Sequence, residues 1–168
     1  MTTDHDAEFT AWVERTAASL RGTAYLMCGD WHAADDVVQD TLVRVYERWR
    51  RIRPEAATSY ARRVITTATI DRARRPWRRE VSSDVLPERV AAAEDETPYD
   101  VVGALAQLPP RQRAVLVLRF FDDLDVAETA RLLGISTGTV KSTTSRGLDG
   151  LRILMRTPVH AGHSEETP

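Results

Sequence analysis

Residues 125–152 constrain the fold of this chain most, because they have the pattern of a short helix, a tight turn and a longer helix. Asp125 is a favoured N-cap for a helix over residues 126–133, and Gly134 can adopt the left-handed conformation that ends it. Ser136 can cap the second helix, whose inward positions recur at helical spacing: Val140, Thr144, Leu148 and Leu151. The pattern predicts a helix-turn-helix.

The outer face of the second helix carries small polar or cationic side chains at Lys141, Ser142, Ser145 and Arg146. Such groups suit base edges and phosphates in a DNA major groove. The start of the helix, with Ser136, Thr137 and Thr139, can also direct backbone N–H groups at a phosphate. The alternative is a plain helical hairpin that uses glycine as a cap, and the polar outer face favours a DNA-binding helix over it.

Helical periodicity runs through most of the rest of the chain, and strand and hairpin signals are nearly absent. The pattern predicts helices over roughly 6–27, 32–50 and 54–75, then a second set that starts near Tyr99 and resumes after Pro109-Pro110. We therefore predict an all-α chain of two small helical domains. Their expected bounds are 6–80 and 99–156, followed by a disordered tail over 157–168.

The charge distribution supports this division. Residues 44–80 carry twelve arginines against four acids, whereas residues 81–100 carry six acids and one arginine. The basic block indicates a phosphate-binding surface, although a solvated helix face is the alternative. Residues 81–98 combine prolines, serines and an acidic run with few apolar residues, which predicts a flexible acidic linker.

Several classes of function are disfavoured by the residues present. Cys28 is the single cysteine, so neither a disulfide within the chain nor a cysteine-based metal site is possible. His160 and His163 are spaced for a metal pair but lie in the polar tail, and no glycine-rich phosphate loop occurs. We expect no catalytic residues, metal or cofactor. The polar start and short apolar stretches predict a cytoplasmic protein without a membrane segment.

Residues 108–121 (LPPRQRAVLVLRFF) and 128–142 (ETARLLGISTGTVKS) resemble the C-terminal domain of extracytoplasmic-function (ECF) RNA polymerase sigma factors. Residues 34–46 (ADDVVQDTLVRVY) resemble the helix by which that family grips the clamp helices of RNA polymerase. Residues 74–80 and 139–146 resemble the actinobacterial SigE-type subfamily in particular. The likeness covers nearly the whole chain, and the motifs occur in the family's order.

The resemblance implies a role for each surface. It places core-polymerase contacts on the second helix, at Asp36, Gln39, Asp40 and Arg44, where a solvated acidic face is the physical alternative. It places contacts to the minus-ten promoter element on the third helix and its exit, at Tyr60, Arg62, Arg63, Arg72, Arg74, Arg75, Trp77 and Arg78. Many family members have an asparagine where this chain has Thr67, so the details of minus-ten recognition are open.

The resemblance also implies contacts of the helix-turn-helix with the minus-thirty-five element, through Ser136, Thr137, Thr139, Lys141, Ser142, Ser145 and Arg146. Arg146 is the best candidate for a guanine or phosphate contact. The expected partners are core RNA polymerase and promoter DNA, with an anti-sigma factor as a further candidate. No dimerisation helix is evident, so we expect a monomer. The alternative function is a stand-alone helix-turn-helix regulator.

Overall fold

The structure is a computed structural model that describes residues 2–75 and 100–156. Within those ranges the chain is helical and has no strand, which confirms the all-α prediction. The helices are α1 (Thr2–Cys28), α2 (Trp31–Arg48), α3 (Pro54–Arg74), α4 (Val101–Gln107), α5 (Pro110–Leu116), α6 (Val126–Leu133) and α7 (Thr137–Arg156). The predicted acidic linker, the tail and four residues singled out above lie outside the described residues: Trp77, Arg78, His160 and His163.

Helices α1, α2 and α3 form an N-terminal bundle around one apolar core. Gly29 has a φ of +73°, which lets the chain turn sharply after α1, and the Asp30 side chain then caps α2 by accepting a 2.7 Å hydrogen bond from the Ala33 backbone. Pro54 stands at the start of α3, where its missing N–H costs nothing. The core is built from all three helices: Trp12, Leu20, Ala24, Val37, Val45, Ala57, Ala61 and Ile65.

The buried face of α3 is made mostly of small residues around one isoleucine. Ala57, Ala61 and Ile65 are completely buried, with Thr66 and Thr69 beside them. Tyr60, Val64 and Ala68 lie on a neighbouring side of the helix and are only partly buried. Alanines let α3 approach α1 and α2 closely, so the larger side chains lie at the edge of the contact.

Helices α4 to α7 form a C-terminal bundle that contains the predicted helix-turn-helix. Asp125 and Glu128 form a reciprocal capping box at the start of α6. Gly134 ends α6 in the left-handed region at φ +65°, and Ile135 then packs against the small cluster of Val115, Ala130 and Val140. These features confirm the local prediction. Helix α5 continues into a five-residue π turn, Val117–Phe121, before the loop that leads to α6.

The two bundles share one core. Leu118 and Val117 of the π turn, Ala114 of α5 and Leu132 of α6 belong to the same buried cluster as the N-terminal core residues. The Arg113 guanidinium crosses the junction and donates a 2.6 Å hydrogen bond to the Met27 carbonyl near the end of α1. It also donates to the Ala106 and Leu108 carbonyls of its own bundle. Residue spacing and composition do not predict whether the two bundles pack together.

Candidate nucleic-acid and protein-binding surfaces

Helix α2 presents a continuous solvent face opposite its buried side. Asp36, Gln39, Asp40 and Arg44 are all exposed, while Val37, Val38, Thr41 and Val45 are buried on the other side of the helix. Helical spacing puts Val43 in the middle of the exposed face, where it is 58% exposed. On this face an apolar side chain is surrounded by acids, an amide and an arginine. Such a composition is more typical of a protein-binding surface than of a face that only contacts solvent.

The sequence analysis missed Val43, although its signal was available. Positions 36, 39, 40, 43 and 44 follow the i, i+3, i+4, i+7, i+8 spacing of one helix face. We call this set of five residues the α2 face. Tyr46 is half-exposed, and its hydroxyl donates a 3.0 Å hydrogen bond to Asp6 on α1. That hydrogen bond raises the pKa of Tyr46.

Helix α3 presents its arginines unevenly. Arg63, Arg74 and Arg75 are exposed and Arg72 is partly exposed, so they are available to phosphates. Tyr60 is partly buried, and the Arg48 guanidinium lies 5.4 Å from its ring centroid, so one ring face is already occupied. Arg62 differs from the others because its side chain is only 19% exposed and points at the C-terminal bundle.

Arg62 pairs with a carboxylate that the sequence analysis did not single out. Its Nε lies 3.2 Å from Asp122 Oδ1, and the Asp122 side chain has no solvent exposure. The Thr23 hydroxyl on α1 donates a 2.9 Å hydrogen bond to the same oxygen. Burial raises the pKa of Asp122, whereas Arg62 and the Thr23 hydrogen bond act to lower it. Arg62, which the sequence analysis predicted to contact DNA, is thus largely buried inside the protein in this structure.

A cleft of about 560 Å³ separates α2 from α3. It joins two of the predicted core-polymerase residues, Asp40 and Arg44, to the predicted minus-ten residues Tyr60, Arg63, Arg72 and Arg75. Thr67 and Asp71 also line it. No motif indicated this cleft, because its walls come from positions that alternate with core residues along two helices.

A second cavity of about 210 Å³ lies between α3 and the helix-turn-helix. Arg63, Thr67, Asp71 and Arg74 line the α3 side. Arg111, Ile135, Thr139 and Thr143 line the other side. Part of the predicted minus-ten surface therefore faces the first turn of α7 rather than open solvent.

The outer face of α7 is open. All seven residues predicted to meet the minus-thirty-five element are exposed: Ser136, Thr137, Thr139, Lys141, Ser142, Ser145 and Arg146. The Ser136 hydroxyl accepts a 3.0 Å hydrogen bond from the Thr139 backbone N–H, so that donor is already used within the helix cap. The Ser142 hydroxyl donates to the Thr139 carbonyl at 3.1 Å, which leaves its oxygen as an acceptor. On the inner side, Val140 and Gly147 are buried.

The chemistry of a catalytic or metal centre is not evident in the described part of the chain. Among residues 2–75 and 100–156, no three histidine, cysteine or acidic side chains are grouped as a metal site would require. Burial raises the pKa of the Cys28 thiol to about 11 despite the nearby Arg72 and Arg113. It is therefore a thiol, not a nucleophilic thiolate, at neutral pH. Within the same ranges, none of the helices has the length and apolar character needed to cross a bilayer.

These surfaces define a class of protein before any relative is considered. An exposed helix-turn-helix, an arginine-bearing helix and an amphipathic acidic helix face together describe a DNA-binding transcription factor with a protein partner. The family described as Sigma-70 region 2 matches residues 7–79, and the family described as Sigma-70, region 4 matches residues 100–149. The two matches occur in order and correspond to the two bundles.

Similar proteins agree with those matches. The chain is 36% identical over 151 residues to the RNA polymerase sigma-E factor of Streptomyces avermitilis, covering 86% of this chain and 83% of that one. It is 31% identical to the ECF RNA polymerase sigma factor SigE of Mycolicibacterium smegmatis, covering 98% of this chain and 67% of that one. The sigma factor RpoE of Bartonella quintana, solved with the anti-sigma factor NepR, superposes with a TM-score of 0.69. At 21% identity, over 89% of this chain and 98% of that one, RpoE shows a shared fold.

The chain belongs to the extracytoplasmic-function family of RNA polymerase sigma factors and directs transcription initiation. The prediction made from the sequence motifs, including the likeness to SigE-type members, is confirmed.

Proposed function

We propose that this sigma factor docks on core RNA polymerase through the α2 face, holds the minus-ten element along α3 and recognises the minus-thirty-five element with α7. The exposed α2 face carries the proposal, because it combines acidic residues with an exposed valine on a helix whose opposite side is buried. An isolated DNA-binding regulator has no need of such a surface.

For the minus-ten element, the cleft between α2 and α3 offers the required chemistry. Its arginines can neutralise phosphates, and the free edge of Tyr60 can contact an unstacked base. Thr67 stands in this cleft where many relatives have asparagine, and its hydroxyl offers one donor where an amide offers two. We therefore propose that Thr67 alters base preference at the minus-ten element.

For the minus-thirty-five element, Lys141, Ser142, Ser145 and Arg146 are the proposed groove contacts. They share the exposed face of α7, which Gly147 and Val140 anchor against α5. An arginine can make two hydrogen bonds with a guanine, so Arg146 is the proposed main determinant of sequence. Ser136, Thr137 and Thr139 at the start of the helix are proposed to contact phosphate.

The protein carries out no bond-making chemistry of its own, which the polymerase supplies. It acts in the cytoplasm, as a monomer when free. An anti-sigma factor is a candidate regulator, as the family membership implies.

Run-off transcription with purified core RNA polymerase on a genomic fragment library tests the proposal. We expect new start sites that share two upstream elements, and we expect Asp40→Arg to abolish all of them. Arg146→Ala should reduce them with an altered minus-thirty-five preference. Glu14→Arg on the exposed side of α1 is a charge-reversal control for the former. Arg156→Ala, roughly 15 Å further along α7, is the control for the latter.

The alternative of a stand-alone regulator predicts a different result. The protein alone would footprint a specific duplex, polymerase would gain no new start sites, and Asp40→Arg would have no effect. That outcome would overturn the proposed roles of the α2 face and α3.

A further inference from the structure

Asp122 is the only acidic residue that is buried in the described part of the chain. It follows the π turn directly and meets Arg62 of α3 and Thr23 of α1 across the junction of the two bundles. Its Oδ1 is shared between the guanidinium and the threonine hydroxyl, whereas Oδ2 has no hydrogen-bond partner among the described residues. Arg62 Nε lies at ion-pair distance but without good hydrogen-bond direction.

Such a pair contributes little net stability. Removing a carboxylate and a guanidinium from water is costly, and attraction offsets that cost only when every polar atom is well satisfied. Here one carboxylate oxygen has no hydrogen-bond partner, and the Asp122 side chain has no solvent exposure. A hydrophobic pair would stabilise this junction at least as well. The presence of an acid opposite Arg62 therefore calls for an explanation other than stability.

We propose that Asp122 occupies the place of a DNA phosphate, holding Arg62 inside the closed chain so that free protein does not engage minus-ten DNA until the bundles separate. This inference rests on the proposed minus-ten role of Arg62. In the closed structure the α2 face and the outer face of α7 are both exposed, so docking and duplex recognition are available while Arg62 is not.

Geometry requires the bundles to separate during function. The two promoter elements lie about 25 base pairs apart, which is roughly 85 Å of B-DNA. Thr67 of α3 and Thr139 of α7 line one cavity of about 210 Å³, so the closed chain cannot reach both elements. The sequence has 24 residues between Arg75 and Asp100, and a chain of that length spans at most roughly 80–90 Å. Opening that far breaks the contact between Arg62 and Asp122.

Asp122→Asn is the direct test. It leaves Arg62 as a buried cation without a counter-charge, and this penalty applies only to the closed form because in the open form Arg62 is solvated. The fraction of open protein therefore rises, and the apparent affinity for DNA rises with it. Asp123→Asn is the matched control, because it removes the same charge from the exposed neighbouring residue. Asp123 has a φ of +54°, which asparagine tolerates well.

The measurement is fluorescence anisotropy of the full chain with a short fluorescein-labelled single-stranded oligonucleotide at fixed low salt. We expect Asp122→Asn to bind at least about fivefold more tightly than wild type, and Asp123→Asn to match wild type. Adding Arg62→Ala to Asp122→Asn should abolish the gain. Alkylation of Cys28, which lies next to the Met27 carbonyl bound by Arg113, should be faster in Asp122→Asn.

Thr23→Val is a second variant, which keeps both charges and the shape of the side chain and removes only the hydroxyl that holds Asp122. It should raise affinity in the same direction by roughly twofold. No gain in a folded Asp122→Asn, or a gain that persists without Arg62, would overturn the inference. Run-off transcription in parallel distinguishes a failure of one proposal from a failure of the other. If the wild type transcribes normally and Asp122→Asn shows no gain in DNA affinity, only the role of Asp122 is contradicted. Wild type that gives no specific starts contradicts the proposed function itself.

Discussion

The two surfaces proposed to bind DNA are built in opposite ways. The face of α7 is open, and its supports are local: a capping box, a left-handed glycine and a small cluster around Val140. The arginines of α3 depend on distant residues, because Arg62 is oriented by Asp122, which lies sixty positions later in the sequence. One surface is complete within its own bundle, whereas the other is partly closed by its neighbour.

This difference predicts how each of the two surfaces responds when the bundles separate. Because the supports of the helix-turn-helix are mostly local, we expect it to keep its shape when the bundles separate, although Leu132 of α6 also contacts the shared core. Under the proposals above, the α3 surface has two environments, one closed against the C-terminal bundle and one exposed to DNA. Control by a partner protein would therefore be most effective at the junction, where it selects between those environments.

The largest effect expected from the comparison concerns the shared core. Leu118→Ala should destabilise the protein by about 2–5 kcal/mol, because Leu118 is completely buried where both bundles meet. Val140 is equally buried but belongs to the small helix-turn-helix cluster. All four tryptophans lie in the first eighty residues, so tryptophan fluorescence reports unfolding of the N-terminal part, whereas circular dichroism reports all helices.

Urea unfolding should thus separate the two variants. Leu118→Ala should shift both the fluorescence and the dichroism transitions, whereas Val140→Ala should shift the dichroism transition with little change in fluorescence. Equal shifts of both signals in Val140→Ala would show that the bundles unfold as one unit, which contradicts the comparison.

Local rules account for what the sequence predicted well. The bounds of α6, the cap at Asp125 and the turn at Gly134 depend on residues within a few positions of one another. Hydrophobic spacing also located α1, α2 and α3 to within a few residues. The role of each site residue remains a prediction, because what the structure establishes is its exposure and neighbours.

Long-range packing accounts for what the sequence did not reveal. Asp122 stands next to Asp123 and, as one of two adjacent acids in a loop, resembles a surface residue. Its burial follows from Thr23 and Arg62, which lie on two helices of the other bundle. Likewise, the buried face of α3 is made of alanines and threonines around Ile65, and apart from that isoleucine they carry a weak hydrophobic signal.

A smaller effect is expected at the helix-turn-helix. Asp125→Ala removes the side chain that accepts the Glu128 backbone N–H at 2.7 Å and should cost about 0.5–2 kcal/mol. The loss should be visible by dichroism and nearly absent from tryptophan fluorescence, because the cap supports only α6. Asp149→Ala, which breaks an exposed pair with Arg152, is the control and should change stability little. Comparable losses in the two variants would show that the capping box does not set the stability of this element.

The smallest effect concerns Cys28 at the junction, and it tests the closed arrangement without altering either DNA surface. Burial raises the pKa of this thiol to about 11, so at pH 8 roughly one molecule in a thousand carries the thiolate. Alkylation should be slow, and its rate should rise about tenfold per pH unit without levelling off until near pH 11. Since the folded pKa exceeds the unfolded one, this group's contribution to stability is full below about pH 8 and is lost as pH rises towards 11. Cys28→Ser should lack that alkaline loss, and a wild-type rate that levels off near pH 9 would show that the thiol is solvated and the junction open.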